Sequence, residues 1–202
     1  SFEFISNNNK IISNSGYFQN HNHQLNLISK STACHSTLNV ENFSSVNFLK
    51  KSSGVNEISS SLKIFDKKIV NKSDYWSFEG SHNGYIKKFG ITHYRKVEFF
   101  HDSLKICGLD RVEKKKGFKE SNFEIRFHLD PDSKIMKTQD GKSIYIGVKN
   151  EGWKFTSLNN KISYETGLYF GNKNNFVENQ NILISGKIKD EDVLINWEIE
   201  KI

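Results

Sequence analysis

The feature that most limits what this chain can fold into is a two-residue alternation of apolar and polar side chains. In residues 122–129, Phe123, Ile125, Phe127 and Leu129 fall on one face of an extended strand, and Asn122, Glu124, Arg126 and His128 on the other. Ile144, Ile146 and Val148 alternate in the same way with Tyr145, Gly147 and Lys149. Val193, Ile195, Trp197 and Ile199 share a face near the end of the chain. Further strands are predicted at 9–14, 36–41, 84–90, 91–100, 103–112, 152–157, 160–166 and 180–188. No segment keeps a helical period over three turns. Asn83-Gly84 and Asp140-Gly141 tolerate the positive φ of tight hairpin turns, and Asp130-Pro131-Asp132 marks another turn. Many short strands with close-set turns predict an all-β fold: a large antiparallel β-sandwich, one domain over residues 1–202. Residues 17–31 and 43–61 lack periodicity and read as surface loops.

The chain has 202 residues and 36% hydrophobic content, 16 of those residues being Phe, so it can bury a sizeable core. Charged residues make up 26%, which excludes a disordered composition. The formal net charge of +6 suits an anionic polymer, polysaccharide or nucleic acid, although part of the lysine count belongs to a general richness in Asn, Lys and Ser. Cys34 and Cys107 have no metal-type spacing and read as two unpaired thiols filling small apolar spaces. No apolar run reaches the ~18 residues of a membrane-spanning helix. Met136 is the only methionine, and residues 1–5 already read like the middle of a strand. The expectation is therefore that the natural chain begins upstream.

Few residues suggest chemistry. His21 and His23 are spaced to share a face if extended, but their Asn- and Gln-rich surroundings read as a solvated loop. Cys34 and His35 are neighbours, so on a strand they point to opposite faces and make no thiol–imidazole dyad. His82 sits at the expected hairpin turn. His93 and Arg95 share a strand face and form a pair suited to a carboxylate or sulfate; the plainer reading is a cross-strand polar pair facing solvent. Arg126 and His128 line a polar strand face and pair with neighbours such as Glu124 in the plainer reading. Lys114-Lys115-Lys116 reads as a solvated turn with too few aromatics nearby for a nucleic-acid face, and no phosphate-binding glycine loop occurs.

Taken in order, several segments resemble the heparinase II/III-like C-terminal domain. They are Ser1-Phe2-Glu3-Phe4, Ile11-Ile12-Ser13-Asn14-Ser15-Gly16, and Ser31-Thr32-Ala33-Cys34-His35-Ser36-Thr37-Leu38. His82-Asn83-Gly84-Tyr85 and Gly90-Ile91-Thr92-His93-Tyr94-Arg95-Lys96 follow, then Leu109-Asp110-Arg111-Val112-Glu113, Ile125-Arg126-Phe127-His128-Leu129, Gly152-Trp153-Lys154-Phe155 and Ile195-Asn196-Trp197. Each motif is weak alone, and the order and spacing of the set carry the resemblance.

The resemblance implies a bacterial, periplasmic polysaccharide lyase in which an N-terminal α/α toroid precedes this β domain. Substrate would lie between the two. The reaction implied is β-elimination on a uronic-acid polysaccharide such as a glycosaminoglycan or alginate, with most catalytic groups on the helical domain. This chain alone would then be inactive. Some relatives hold a structural zinc; the matching positions here are His35 and Asn14, and Asn where Asp is usual puts the metal in doubt. His35 is the candidate cleft residue, with His82, His93 and Arg95 as weaker substrate-binding candidates. The expected partners are acidic polysaccharide and the helical domain, without nucleic acid or a membrane span. The rival expectation is a non-catalytic module that binds polyanions or braces a neighbour.

Overall fold

Residues 1–50, 56–58, 62–173 and 175–202 are described by a computed structural model, in which the alternating segments become strands. In chain order they are β1 (Phe4–Ser6), β2 (Asn9–Ile12), the short helix α1 (Gln24–Ile28), β3 (Leu38–Val40), β4 (Phe48–Lys50), β5 (Asn56–Ile58), β6 (Ile64–Asn71) and β7 (Tyr75–His82). A second short helix, α2 (Ile86–Phe89), leads into β8 (Ile91–Phe100), β9 (Lys105–Lys114), β10 (Ser121–His128), β11 (Lys134–Lys137) and β12 (Ser143–Val148). The chain closes with β13 (Glu151–Ser157), β14 (Ile162–Asn172), β15 (Asn175–Ile188) and β16 (Val193–Lys201).

An antiparallel sheet of 8 strands runs β11-β12-β13-β16-β9-β8-β7-β6, and a 4-stranded sheet runs β14-β15-β10-β3. The ribbons β1-β2 and β4-β5 complete the described pairing. The all-β sandwich read from the sequence is the observed architecture. Its core lies where the alternation predicts. Phe123, Ile125 and Phe127 of β10 are buried against Trp153, Phe155, Ile195, Trp197 and Ile199 of the large sheet. The Phe127 ring centroid lies 4.6 Å from that of Phe155 and 4.8 Å from that of Trp197. Side chains of this size each contribute about 1.5–3 kcal/mol when fully buried. Trp197 fits because its register partner on β9 is Gly108, where a Cβ would lie 2.0 Å from the indole ring.

Several local expectations change. Residues 84–90 are not a strand. They follow the end of β7, form α2, and finish at Gly90, whose φ of 65° caps the helix in the left-handed region. Asn83-Gly84 is thus not a two-residue hairpin turn: neither residue has a positive φ, and Gly84 serves instead to let Ser45 approach. The alternation failed here because Tyr85 and Phe89 are four apart and bury one face of a single helical turn. Residues 17–31 contain α1, with His23 as its N-cap. In the stretch 43–61, β4 and β5 pair, while 51–55 and 59–61 lie outside the described residues. The turn at Asp140-Gly141 has the expected positive φ, 70° at Gly141. Among the described residues no helix is long and apolar enough to cross a membrane.

Candidate functional site

Strand register builds a polar cluster inside the sandwich. On β8, His93 and Arg95 share the parity of Ile91 and Val97, so they face the core; they are 2% and 7% exposed. Arg95 lies opposite Gly80 of β7 and Asp110 of β9, and His93 lies opposite His82. Asp110 is fully buried and receives four hydrogen bonds. Arg95 Nε and His93 Nε2 donate to Oδ1 at 2.7 and 2.6 Å; Arg95 Nη2 and Trp197 Nε1 donate to Oδ2 at 3.0 and 2.8 Å. The third guanidinium nitrogen, Nη1, donates to the Ser36 carbonyl at 2.6 Å. The guanidinium carbon lies 5.9 Å from the ring centroids of Phe2, Phe127 and Trp197, within cation–π range. The His93–Arg95 pair therefore holds a carboxylate, and that carboxylate is the protein's own. The solvent-facing strand pairing expected from the sequence is replaced by a core-facing one.

The hydrogen bonds fix the proton positions. The Gly84 N–H donates to His82 Nδ1 at 3.2 Å, so that nitrogen is an acceptor and the ring carries its proton on Nε2. His82 Nε2 then donates to His93 Nδ1 at 3.1 Å, and His93 Nε2 donates to Asp110. Both rings are neutral. Burial, reinforced by the neighbouring His93, pushes the His82 pKa down to about 3. Burial likewise lowers His93, outweighing the Asp110 hydrogen bond that would raise it. Burial would raise the Asp110 carboxyl, but the Arg95 charge and the His93 hydrogen bond together hold it well below the usual range.

Above this cluster opens a cavity of about 660 Å³ lined by His35, His82, His93 and Arg95 together. His35 reaches it through simple alternation. After the 3-10 turn Thr32–Cys34 the backbone is extended at His35, so Cys34 and Ser36 turn inward while His35 and Thr37 face the cavity. Ser36 anchors this segment. Its N–H donates to Asn14 Oδ1 at 2.8 Å, its hydroxyl donates to the Ser13 carbonyl at 2.6 Å, and the same oxygen accepts the His128 N–H at 2.9 Å. The Ser31 carbonyl accepts from His35 Nδ1 at 2.8 Å, which places the proton there and leaves Nε2 with a lone pair and no hydrogen-bond partner among the described residues. Lys30 and Lys67 line the same cavity, with Glu79 the acidic lining residue. Glu79 is already engaged by the Tyr94 hydroxyl and Lys68.

The heparinase II/III-like, C-terminal family matches residues 1–198. The chain belongs to that family. No curated protein matches it in sequence. Its fold is similar to heparan sulfate lyase HepC from Pedobacter heparinus, with TM-score 0.80 and 16% identity, covering 100% of this chain and 30% of that one. A heparinase III gene product gives TM-score 0.78 and 13% identity over 99% of this chain and 29% of its own. Another heparinase III gives 0.68 and 14%, with coverage of 99% and 28%. The chain thus spans about three-tenths of the length of these solved proteins.

The zinc that some heparinase II/III-like relatives hold does not fit the residues present. The Asn14 side-chain oxygen accepts from Ser36, and its amide donates to Glu3 Oε1 at 3.2 Å. Among the described residues no group of three or more His, Cys, Asp or Glu side chains could hold a metal ion. The other motifs resolve into structural roles. His23 Nδ1 accepts the Leu25 N–H at the start of α1, and His21 meets the Tyr17 hydroxyl. Cys34 and Cys107 are unpaired, and burial raises both thiols. His128 does not share the solvent face of Arg126. It is buried between the Ser15 hydroxyl and the Ala33 carbonyl, and burial lowers it to about 4. Arg126 pairs with Glu124 and Glu165. Lys114 meets the Asp190 carbonyl, and Lys115 meets Glu113.

Asp110 and Trp197, which hold the cluster, and Lys30 and Lys67, which line the cavity, were not singled out in the sequence. For Asp110 a signal exists. It shares strand parity with Ile106 and Val112, so the alternation of β9 already points it inward. For the two lysines no signal existed, because loop and edge-strand lysines are abundant.

Proposed function

We propose that this chain forms one wall of the substrate cleft in a polysaccharide lyase, which cleaves a uronic-acid-containing acidic polysaccharide by β-elimination. Family membership supports the reaction class. The carrying observation is His35: it lines the cavity with an Nε2 that no described residue engages, beside Lys30 and Lys67.

In β-elimination the proton on C5 of the uronate is removed, its electron pair forms the C4–C5 double bond, and the C4–O4 bond breaks with protonation of O4. The uronate carboxylate must be neutralised for C5 to become acidic. Lys30 and Lys67 supply positive charge at the cavity, and His35 Nε2 accepts a hydrogen bond or proton from the sugar. The buried Asp110–Arg95–His93–His82 cluster touches no substrate through its committed atoms. It fixes the floor of the cavity and holds the Ser36 carbonyl, hence the neighbouring His35, in place. The remaining groups of the reaction would come from a helical domain across the cleft.

The test uses the full-length protein and a panel of uronic-acid polysaccharides, following ultraviolet absorbance of the new double bond. Absorbance should rise on at least one substrate, and His35→Ala should lower the rate by roughly 10²-fold or more. The inward commitment of His82, His93 and Arg95 favours a second reading, a module that binds without chemistry. Retained polymer binding with no absorbance change on any substrate would establish that second reading instead.

A further inference from the structure

The backbone on either side of His35 is fixed from residues 13–15, just after β2. Before His35, the Cys34 carbonyl accepts the Ser15 N–H at 2.9 Å. After it, the Ser36 N–H donates to Asn14 Oδ1 at 2.8 Å. The Ser36 hydroxyl adds a bond to the Ser13 carbonyl at 2.6 Å. Both peptide groups that flank His35 are therefore held by the same short segment, and one of the two holds is a side chain.

Asn14 is fixed in turn by Glu3. Glu3 Oε1 accepts from the Asn14 main-chain N–H and from its side-chain Nδ2, each at 3.2 Å. Lys10 Nζ lies 3.5 Å from the other carboxylate oxygen. The Asn14 side chain must therefore accept at one end of its amide and donate at the other. An ionised Asp of the same length accepts but has no proton to donate. It would also set its charge against the Glu3 carboxylate.

We infer that the Glu3–Asn14–Ser36 hydrogen-bond chain presents His35 to the cavity in place of a metal ion, which makes Asn14 a positioning residue and His35 independent of zinc. The inference rests on the reading of His35 as the cleft residue and deepens it. Two observations carry it. Where relatives hold a metal, the positions matching His35 and Asn14 would both be ligands, but here the oxygen and the amide nitrogen of Asn14 are both engaged within the protein. His35 Nε2 also opens into a cavity lined by Lys30, Lys67 and Arg95, whose acidic lining residue Glu79 is taken by Tyr94 and Lys68. A dication there would meet an imidazole among positive charges instead of the anionic donors it prefers. The hydrogen-bond chain restrains the backbone at His35 without an ion.

The test compares the full-length protein with its Asn14→Ala, Asn14→Asp and Asn14→Asp/Glu3→Gln variants. A structural zinc stabilises the fold that binds it. Calorimetric titration with zinc should therefore show no stoichiometric binding that His35→Ala abolishes, and a chelator should cause no fall in melting temperature that His35→Ala removes. On a uronate polymer that the native protein eliminates, Asn14→Ala should lower kcat about tenfold with KM little changed, because the Ser36 N–H loses its acceptor while Lys30 and Lys67 stay in place. Asn14→Asp should lower kcat about fivefold, through a lost donor and a like-charge contact. The double variant reverses the polarity, the introduced glutamine amide donating to the introduced carboxylate, and should return kcat to within about twofold of native. Zinc binding or chelator sensitivity that depends on His35, or a double variant no better than Asn14→Asp, overturns the inference. If no polymer is eliminated, the lyase reading falls alone. The zinc titration, and melting temperatures lowered by Asn14→Ala and Asn14→Asp but restored in the double variant, still decide between hydrogen-bond chain and metal. Elimination that requires zinc at His35 keeps the lyase reading and overturns the inference.

Discussion

Asp110→Asn is the substitution that most directly tests the logic of the buried cluster. It keeps the shape of the side chain and removes its charge. In the native fold both carboxylate oxygens receive two N–H donors, from Arg95 and His93 on one and from Arg95 and Trp197 on the other. An asparagine must present its NH₂ to one of those pairs, so two donors face a donor whichever way the amide is turned. Arg95 meanwhile keeps its charge at 7% exposure, with the carboxylate replaced by one neutral amide oxygen beside the Ser36 carbonyl and three aromatic faces. Removing one partner of a buried ion pair costs about 3–5 kcal/mol. Total stability of a domain is only about 5–15 kcal/mol. For a chain of this length the loss corresponds to roughly 6–20 °C in melting temperature. Urea denaturation followed by tryptophan fluorescence reads it, because Trp197 is itself a donor in the cluster. A double variant, Asp110→Asn with Arg95→Met, should recover part of the loss, since the stranded charge is gone. A cost below about 1 kcal/mol for Asp110→Asn, or a double variant no more stable than the single one, would refute the idea that the stranded guanidinium dominates.

Acid should destabilise the protein well before its carboxylates titrate. His82 and His128 are lowered from 6.5 to about 3 and about 4 by burial, so below pH 6.5 the unfolded chain binds protons that the folded one does not. Stability then falls as pH drops, by up to about 1.4 kcal/mol per pH unit for each histidine, and the lowered Asp110 carboxyl extends the fall below its ordinary range. Urea midpoints taken at about pH 7, 5.5 and 4.5 check this, and a flat profile would contradict neutral buried histidines. Gly108→Ala should destabilise by about 1–3 kcal/mol or more, because its Cβ would overlap the Trp197 ring that packs on it, and near-ultraviolet circular dichroism should show the indole displaced.

The core strands were legible because one face of each is buried, and burial writes itself into the sequence as period two. Phe123, Ile125 and Phe127 show this on β10, and Ile195, Trp197 and Ile199 on β16. β6 and β7, exposed or half-buried along most of their length, were not among the predicted strands. Polarity misplaced His93 and Arg95: it argues for solvent, although their parity with Ile91 and Val97 argues for the core. Parity was the stronger guide, because a buried carboxylate opposite them on β9 satisfies both. Residues 84–90 were misread for a different reason. A single turn of helix is too short to show a period, and the end of α2 is decided by the left-handed Gly90 rather than by any repeat. The grouping of His35, His82, His93 and Arg95 around one cavity was not derivable from spacing, since it depends on β3 and the β7–β8 pair meeting across the sandwich.

That grouping also separates two kinds of polar residue that look alike in the sequence. Three of the four point their donors and acceptors at one another and at Asp110, and their hydrogen-bonding capacity is spent inside the fold. His35 spends one nitrogen on the Ser31 carbonyl and turns the other outward. Ser36 joins the two kinds: its carbonyl accepts a hydrogen bond from Arg95, and its position one residue after His35 transmits the order of the cluster to the cavity wall. A site built this way needs little from the cluster except rigidity. A cluster of charged and aromatic groups provides it where an apolar core would leave the backbone carbonyl at Ser36 without a donor.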